Sequence, residues 1–343
     1  MTRASASKLL KTLPGLVISA FFLWYTFWPR VDAHGLKKGV SPEEFRSLHI
    51  VAPIWIVSLI AFGIVSYSLR IIRWHYMMRS TDATLLTCAR VFMTSLAANN
   101  ILPFRIGDVM RVFTYAPDLR TTPSVILSTM LLEKLLDIFV LVAFFVVFLG
   151  PNASTHLRVT SHTFLGVSFV AIIVLLLGAR VLEGPIRRLF IRLPEKPILL
   201  KLENWIILAL ECIRGIGALG SLLLLAETIV IWSAEGMQFL AAAKTLGIES
   251  GPAGPWQAVA WANLSFLVPS SPGGIGPFEM AIKTALVSHG ADPVRATLYG
   301  LALHVWMLVV ITGIGGAMFM AHRIRTAARK PLLQEIETLP NEL

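Results

Sequence analysis

The chain has 343 residues, of which 55% are hydrophobic and 15% are charged, and its mean hydropathy is +0.71. Soluble globular domains carry more charge and less apolar sequence, so this composition excludes that class and indicates membrane spans. The formal net charge of +10 does not indicate nucleic-acid binding. Most Lys and Arg residues lie in short segments beside apolar runs, where they set topology or contact anionic lipid headgroups.

The N-terminus combines a basic start with an apolar run, as a signal peptide does, but no small-x-small cleavage site follows the run. We therefore expect a retained first helix. Cys88 and Cys212 lie in apolar sequence without metal-ligand spacing, so they are predicted to be packing residues. No metal and no cofactor are expected.

Six apolar runs are long enough to cross the roughly 30 Å of hydrocarbon in a bilayer. They cover residues 12–28, 50–69, 124–149, 163–181, 216–243 and 294–321. Two further apolar stretches, 83–120 and 256–288, are interrupted by Pro and Gly. The predicted fold is an all-α polytopic membrane protein, a single transmembrane domain over residues 1–343 with six full spans and two broken segments.

The distribution of Lys and Arg predicts the orientation, because short cytoplasmic loops are enriched in both. The basic segments 70–82, 182–204 and the tail 322–343 are assigned to the cytoplasm. The base-poor segments 150–162 and 246–255 are assigned to the opposite side. Both termini are then cytoplasmic. The loop 29–49, with four Lys or Arg residues, runs against this scheme.

This topology requires each broken segment to return to the side from which it started. The simplest structure is a re-entrant helical hairpin, the first opening from the cytoplasm and the second from outside. Two full crossings of about 17 residues each, near the lower limit for a spanning helix, are the alternative.

The two broken segments have a common order of residue types. "AANNILPFRIGDVMR" (97–111) and "WANLSFLVPSSPGGIGPFEMAIK" (261–283) each run Ala-Asn, apolar residues, Pro, Gly and an acid. In opposite orientations they would form an inverted repeat, as in secondary transporters whose substrate sites lie where broken helices meet. Chance spacing, or a turn that only lets two helices pack, are the alternatives.

A helix that breaks inside the membrane exposes backbone amides and helix-end dipoles to a polar ligand. Gly273, Gly274 and Gly276 allow the backbone to turn tightly and to approach such a ligand closely. These three glycines are therefore predicted to border the substrate.

Arg105 and Arg111 flank the first break, and a guanidinium can bind a phosphate through two hydrogen bonds. Together with Asn100 and Pro103 they complete the predicted substrate site. The alternatives for the arginines are structural pairing with Asp108 or Glu279, or simple snorkelling to the membrane surface.

The acids beside the breaks are predicted to be coupling groups or members of ion pairs. Asp108 and Glu279 could take up a proton because carboxylates removed from water do so more readily. Lys283 lies four residues after Glu279, a spacing that allows a helical ion pair. His304, in the last span, is predicted to be a packing residue rather than a proton relay.

Three charged residues lie within the run 124–149. Glu133 and Asp137 share one helical face and flank Lys134, so they could pair with Arg90 or Arg111. Glu227 and Glu235, in the run 216–243, are expected to be partnered or to line a polar path.

The two motifs "NILPFRIGDVMR" (100–111) and "PSSPGGIGPFE" (269–279) resemble the flippase-like family named after the transmembrane region of lysylphosphatidylglycerol synthase. The family patterns are N-x-x-P-x-R-x-G-[ED]-x-x-R and P-x-x-P-G-G-x-G-x-x-E. Asp108 stands where the family usually has Glu, and Lys134 where it usually has Arg.

The resemblance implies movement of lipids between leaflets, since in full-length synthases a separate soluble domain attaches lysine. Only 22 residues follow the last predicted span, so that lysyltransferase domain is not expected, and a transporter is favoured over an enzyme. We expect a flippase for an anionic or polyprenyl-type lipid in the inner (cytoplasmic) membrane of a bacterium. The alternative is an intramembrane phosphatase or headgroup transferase, which would need a nucleophile or metal cluster beside the breaks.

Overall fold

The computed structural model describes residues 3–31, 37–150, 154–191 and 196–337. Within these ranges the protein is almost entirely helical, as predicted. The helices are α1 (Arg3–Phe27), α2 (Pro42–Arg46), α3 (Ile54–Met77), α4 (Leu85–Ile101), α5 (Ile106–Val109), α6 (Pro123–Val147), α7 (Thr155–Ile191), α8 (Pro197–Ile216), α9 (Ala218–Thr245), α10 (Gly254–Ser265), α11 (Pro277–Ser288) and α12 (Pro293–Glu337). A two-residue antiparallel pair, β1 (Arg30–Val31) and β2 (Lys37–Lys38), follows α1.

Four helical segments of the described chain are long and apolar enough to cross a membrane. They are Ile54–Met77 in α3, Arg158–Ala179 in α7, Ala218–Thr245 in α9 and Pro293–Ala327 in α12. The multi-pass character is therefore supported, but two of the six predicted spans differ. Helix α6 has the length but carries three ionisable residues, and the apolar part of α1 is only Pro14–Phe27.

The basic segment 182–204 is not the loop that the sequence predicted. Helix α7 continues to Ile191, and α8 begins at Pro197. The residues that α8 buries recur at every third position, and they pack it against α6 and α7: Ile207, Leu210, Ile213 and Ile216. Charges on the other face of this amphipathic helix lower its overall hydropathy, so its sequence contains no apolar run of spanning length.

The two broken segments lie among the longer helices. Helix α4 packs against α12, α10 packs against α11, and α3 packs against α9. The core between them contains fully buried large side chains such as Trp74, Phe239 and Tyr299. The packing of separate helix pairs holds the two breaks at one place in the fold.

Both predicted breaks are present. In the first, α4 is followed by a 3-10 turn (Pro103–Arg105), the short α5 and a π-helical turn (Met110–Thr114). In the second, α10 ends at Ser265, a 3-10 turn spans Pro272–Gly274, and α11 then begins. Helices α10 and α11 have 12 residues each, short of the about 20 that a full crossing needs, whereas α4, with 17 residues, is at the lower limit.

Candidate functional site

The first turn is closed by a side-chain clamp between Asn99 and Asp108. The Asn99 Nδ2 donates to Asp108 Oδ1 at 2.9 Å, and the Asp108 backbone N–H donates to Asn99 Oδ1 at 3.1 Å. Inside this clamp Phe104 and Arg105 have φ angles of 60° and 53°. This left-handed conformation costs about 1–2 kcal/mol for a residue other than glycine, and such strain concentrates at functional sites.

Arg105, at the end of this turn, remains accessible. Its side chain is 51% exposed, and its Nε lies 3.5 Å from Asp108 Oδ2. Among the described residues the guanidinium makes no other ion pair, so most of its donors can bind another anion.

The second turn also contains residues with positive φ angles, and here they are glycines. Gly273, Gly274 and Gly276 have φ angles of 72°, 75° and 102°. A Cβ on Gly274 would clash with the ring of Phe266. The Ser271 backbone N–H donates to Ser19 Oγ at 2.8 Å, which ties this turn to α1.

A buried histidine braces the second turn from α12. His304 Nδ1 lies 2.7 Å from Glu279 Oε1, and its Nε2 lies 2.9 Å from the Gly273 carbonyl oxygen. Glu279 Oε2 accepts the Gly276 backbone N–H at 2.7 Å. The Phe278 ring stacks on the imidazole with the centroids 4.0 Å apart. His304 is thus more than the packing residue predicted from sequence, because it joins the turn, α11 and α12.

Lys283, one helical turn after Glu279, is also buried. Its ammonium donates to the Thr26 carbonyl of α1 at 3.0 Å. The residue therefore links α11 to α1, as Ser271 links the turn to α1.

The two turns meet beside a cavity of about 870 Å³. The Asn100 carbonyl oxygen lies 3.5 Å from the position of a Cβ on Gly273. Helices α3, α6, α9 and α12 complete the walls. Among the described residues, the charged and titratable ones that line the cavity are Tyr67, Arg70, Arg105, Glu133, Lys134, Asp137, Glu235 and His304.

Each carboxylate that lines the cavity is paired with an arginine. Glu133 bonds to Arg111 at 2.9 Å, with both side chains buried. The Arg111 guanidinium also lies 3.8 Å from the centre of the Trp74 ring. Arg111 is not among the cavity-lining residues of the described chain; it stands behind the wall and holds Glu133 in place, the structural pairing considered from the sequence.

Two further pairs are built the same way. Asp137 accepts from Arg73 at 2.8 Å and from the Trp232 indole at 3.2 Å. Glu235 pairs with Arg70 and accepts from Asn263 Nδ2 at 3.1 Å. These pairs fix the polar wall formed by α3, α6 and α9.

Lys134 differs from the arginines around it. It lines the cavity and is only half-buried, and within the described residues its ammonium makes no hydrogen bond and no ion pair. An ammonium in that position attracts an anion.

The residues predicted from sequence thus divide into two groups. Those that line the cavity are Asn100, Pro103, Arg105, Glu133, Asp137, Gly273 and Gly274. The others stand behind it as supports of the turns and walls: Asp108, Arg111, Gly276, Glu279 and Lys283. Asn100 also donates from Nδ2 to Thr312 Oγ1 at 3.1 Å, which fixes α4 to α12.

Sequence reasoning missed part of the site. In the sequence Arg70 and Arg73 serve only as signals of orientation, but both lie in α3, where Arg70 lines the cavity and Arg73 is fully buried. Their spacing of three residues directly after an apolar run was the available signal for a charged helix face. Arg90 pairs with Asp118 at 2.9 Å instead of with the acids of α6.

The comparison with protein families matches residues 13–315 to the family described as "Lysylphosphatidylglycerol synthase TM region". The chain belongs to this family. The match extends from α1 into α12 and includes both turns and the cavity between them. Neither the comparison with curated proteins nor that with solved structures gives a match. The family and the apolar helices indicate a multi-pass membrane protein with a lipid-related function.

Proposed function

We propose that this protein moves a membrane lipid with an anionic headgroup between the two leaflets of the membrane. The observation that carries the proposal is the cavity where the two turns meet, because it has accessible cations inside and an apolar rim. Lys134 and Arg105 supply the cations. Such a site accommodates an amphiphile, with its headgroup inside and its chains outside.

The rim of the cavity suits the lipid chains. Leu16, Phe104 and Leu267 border the cavity and are 50%, 62% and 63% exposed. In the proposal these exposed apolar side chains face the hydrocarbon of the bilayer. A lipid could therefore insert its headgroup into the cavity while its chains stay in the bilayer.

The charge pattern of the walls favours an anion. Glu133, Asp137 and Glu235 are each neutralised by an arginine. Lys134 and the half-exposed Arg105 remain to attract a phosphate, which accepts charge-assisted hydrogen bonds from both. A phospholipid and a polyprenyl phosphate offer this same group.

The broken segments supply the path. In the proposal, α4 with the first turn and α10 with α11 are re-entrant hairpins, because α10 and α11 are shorter than a full crossing, and α4, at the lower limit of length, is followed directly by a turn. They form an inverted repeat that opens from opposite sides of the cytoplasmic membrane, with both chain termini in the cytoplasm. Exposure of the cavity then alternates between the two leaflets.

The test is a leaflet-accessibility assay with the full chain in liposomes. Headgroup-labelled phosphatidylglycerol, phosphatidylcholine and a polyprenyl phosphate are compared, and a membrane-impermeant reductant reports the outer-leaflet fraction. We expect faster exchange of one anionic lipid than in protein-free liposomes. Equal rates with and without protein would refute the proposal, and a change in the mass of the lipid would instead support a lipid-modifying enzyme.

A further inference from the structure

The His304–Glu279 pair has a hydrogen-bond geometry that requires an extra proton. His304 Nε2 faces the Gly273 carbonyl oxygen at 2.9 Å, and a carbonyl can only accept. His304 Nδ1 faces Glu279 Oε1 at 2.7 Å, and an ionised carboxylate can also only accept. A neutral imidazole has one N–H, so it cannot donate to both.

The pair therefore holds one proton more than a neutral histidine and an ionised glutamate would. The second oxygen of Glu279 already accepts the Gly276 backbone N–H at 2.7 Å. The extra proton consequently lies between Nδ1 and Oε1, either as imidazolium with carboxylate or as imidazole with carboxylic acid. In both cases Nε2 keeps its hydrogen and donates to Gly273.

From this geometry we infer that His304 and Glu279 form a binding site for a single coupling proton, which locks the second turn while it is bound. The role in coupling rests on the function proposed above. The ligand is a proton exchanged with water, and no other co-reactant is needed.

Loss of the proton breaks one defined bond. The remaining N–H can serve only one acceptor, and a carboxylate accepts a stronger hydrogen bond than a carbonyl does. The hydrogen therefore stays on Nδ1 beside Glu279, and the proton leaves from Nε2. Two lone pairs, on Nε2 and on the Gly273 oxygen, then face each other, and the turn Pro272–Gly274 is released from α12.

The released turn borders the lipid cavity. His304 and Gly273 both line that cavity, so water inside it can accept or return the proton. The turn also touches Asn100 of the other broken segment. Releasing it changes the contact between the two segments, which is the step that alternating exposure requires.

Several charged or titratable groups surround the pair. Those that share the cavity with His304 are Tyr67 and Arg70 of α3, Arg105 of the first turn, Glu133, Lys134 and Asp137 of α6, and Glu235 of α9. Lys283 follows Glu279 on α11 and bonds to α1. A phosphate beside Lys134 would add negative charge to the cavity and favour the protonated pair, so lipid and proton would bind with mutual reinforcement.

Glu279→Gln is the sharpest variant. The glutamine oxygen can still accept from Gly276, and its amide N–H can donate to Nδ1 of a neutral His304, which keeps Nε2–H on Gly273. Every bond of the brace is retained without a titratable proton. We expect a folded protein whose second turn stays locked at all pH values.

The experiment measures how firmly the second turn is held in place. A thiol reagent labels Ser271→Cys, next to the turn, in a background carrying Cys88→Ala and Cys212→Ala, and the labelling rate is recorded. Because a thiol reacts as its thiolate, the rate at each pH is divided by the rate of N-acetylcysteine at the same pH. We expect this normalised rate to rise with pH by about ten-fold, the equilibrium shift that loss of one charge-assisted hydrogen bond produces. With Glu279→Gln the normalised rate should stay low and independent of pH, whereas His289→Gln, outside the cavity, should label as the parent does. Labelling without pH dependence, or with the same dependence in Glu279→Gln, would overturn the inference.

A second measurement needs no cysteine variant. Nitrogen-15 NMR of the wild-type full chain, with His304→Gln for assignment, counts the protons on the ring, and difference infrared spectroscopy against Glu279→Gln detects a protonated carboxyl. We expect imidazolium, or imidazole together with a protonated carboxyl, at neutral pH. A singly protonated ring beside an ionised Glu279 would overturn the inference. Neither readout needs lipid movement, so failure of the liposome assay alone would refute the proposed function and leave the proton site standing.

Discussion

The two turns that border the cavity achieve a similar break by different means. The first places Phe104 and Arg105 in left-handed conformations and is closed by the Asn99–Asp108 clamp. The second takes its left-handed residues from glycines and is braced by His304. The first presents a charged side chain to the cavity, whereas the second presents backbone.

This difference indicates a division of labour. A strained turn with an exposed guanidinium suits ligand binding, because its side chain is held outward by the backbone. A glycine turn held by hydrogen bonds from two helices suits movement, because those bonds can be made and broken. Variants of the two turns should therefore separate ligand binding from the stability of the fold.

The largest loss of stability is expected for Glu279→Ala. This change leaves buried His304 and the Gly276 amide without their partner, and removing one member of a buried charged pair costs about 3–5 kcal/mol. Thermal unfolding in detergent should show a strong fall in the midpoint temperature. Glu279→Gln, which keeps the bonds, should lose far less, and equal losses in the two variants would contradict the role of the brace.

Arg111→Ala comes next, with a cost of about 3 kcal/mol, because Glu133 is left as an unpaired buried carboxylate. Arg105→Ala is the matched control. Its side chain is half exposed, so the expected loss of stability is below about 1 kcal/mol, while lipid exchange in liposomes should fall. A stable Arg111→Ala protein would contradict the assignment of Arg111 as a wall support.

Gly274→Ala should destabilise the second turn by about 1–3 kcal/mol, because the residue has a positive φ and its Cβ would meet the Phe266 ring. Chemical unfolding of the purified protein measures the change. Ala substitution at Gly166, which has open space around it, is the control and should not destabilise.

The smallest effect is expected for Phe104→Gly. Glycine adopts φ of 60° without the strain of a side chain, which offsets its greater freedom in the unfolded chain. The unfolding free energy should change by less than about 1 kcal/mol. A large loss would show that the Phe104 ring, and not the backbone, holds the first turn.

The fold and the breaks could be predicted from sequence because long apolar runs and Pro-Gly interruptions are local signals. The helix α8 could not be found this way, because its charged face masked its apolar one. The pairing of Arg73 with Asp137 joins residues far apart in the chain, so no local pattern specifies it. The left-handed Phe104 and Arg105 carry no glycine to mark them.

From the sequence, Arg105 and Arg111 are both predicted to bind the substrate, since both flank the same break. Only the packing distinguishes them, because the π-helical turn directs Arg111 behind the wall toward Glu133 and Trp74. The sequence marks Lys134 both as a departure from the family pattern and as one of three charged residues in the run 124–149. Only the structure shows that its ammonium has no hydrogen-bond or ion-pair partner among the described residues.

The claim that a lipid headgroup occupies the cavity is tested most directly by photo-crosslinking. A benzoylphenylalanine is placed at Phe104, on the rim, or at Val309, which is 65% exposed on α12 and not among the cavity-lining residues. Radiolabelled phosphate in the lipid reports capture in liposomes. We predict strong labelling from position 104, which falls in Lys134→Gln and persists in Lys134→Arg. Labelling from position 309 should be weaker and should not change when Lys134 is substituted. Equal labelling from both positions, unchanged by Lys134→Gln, would contradict the account.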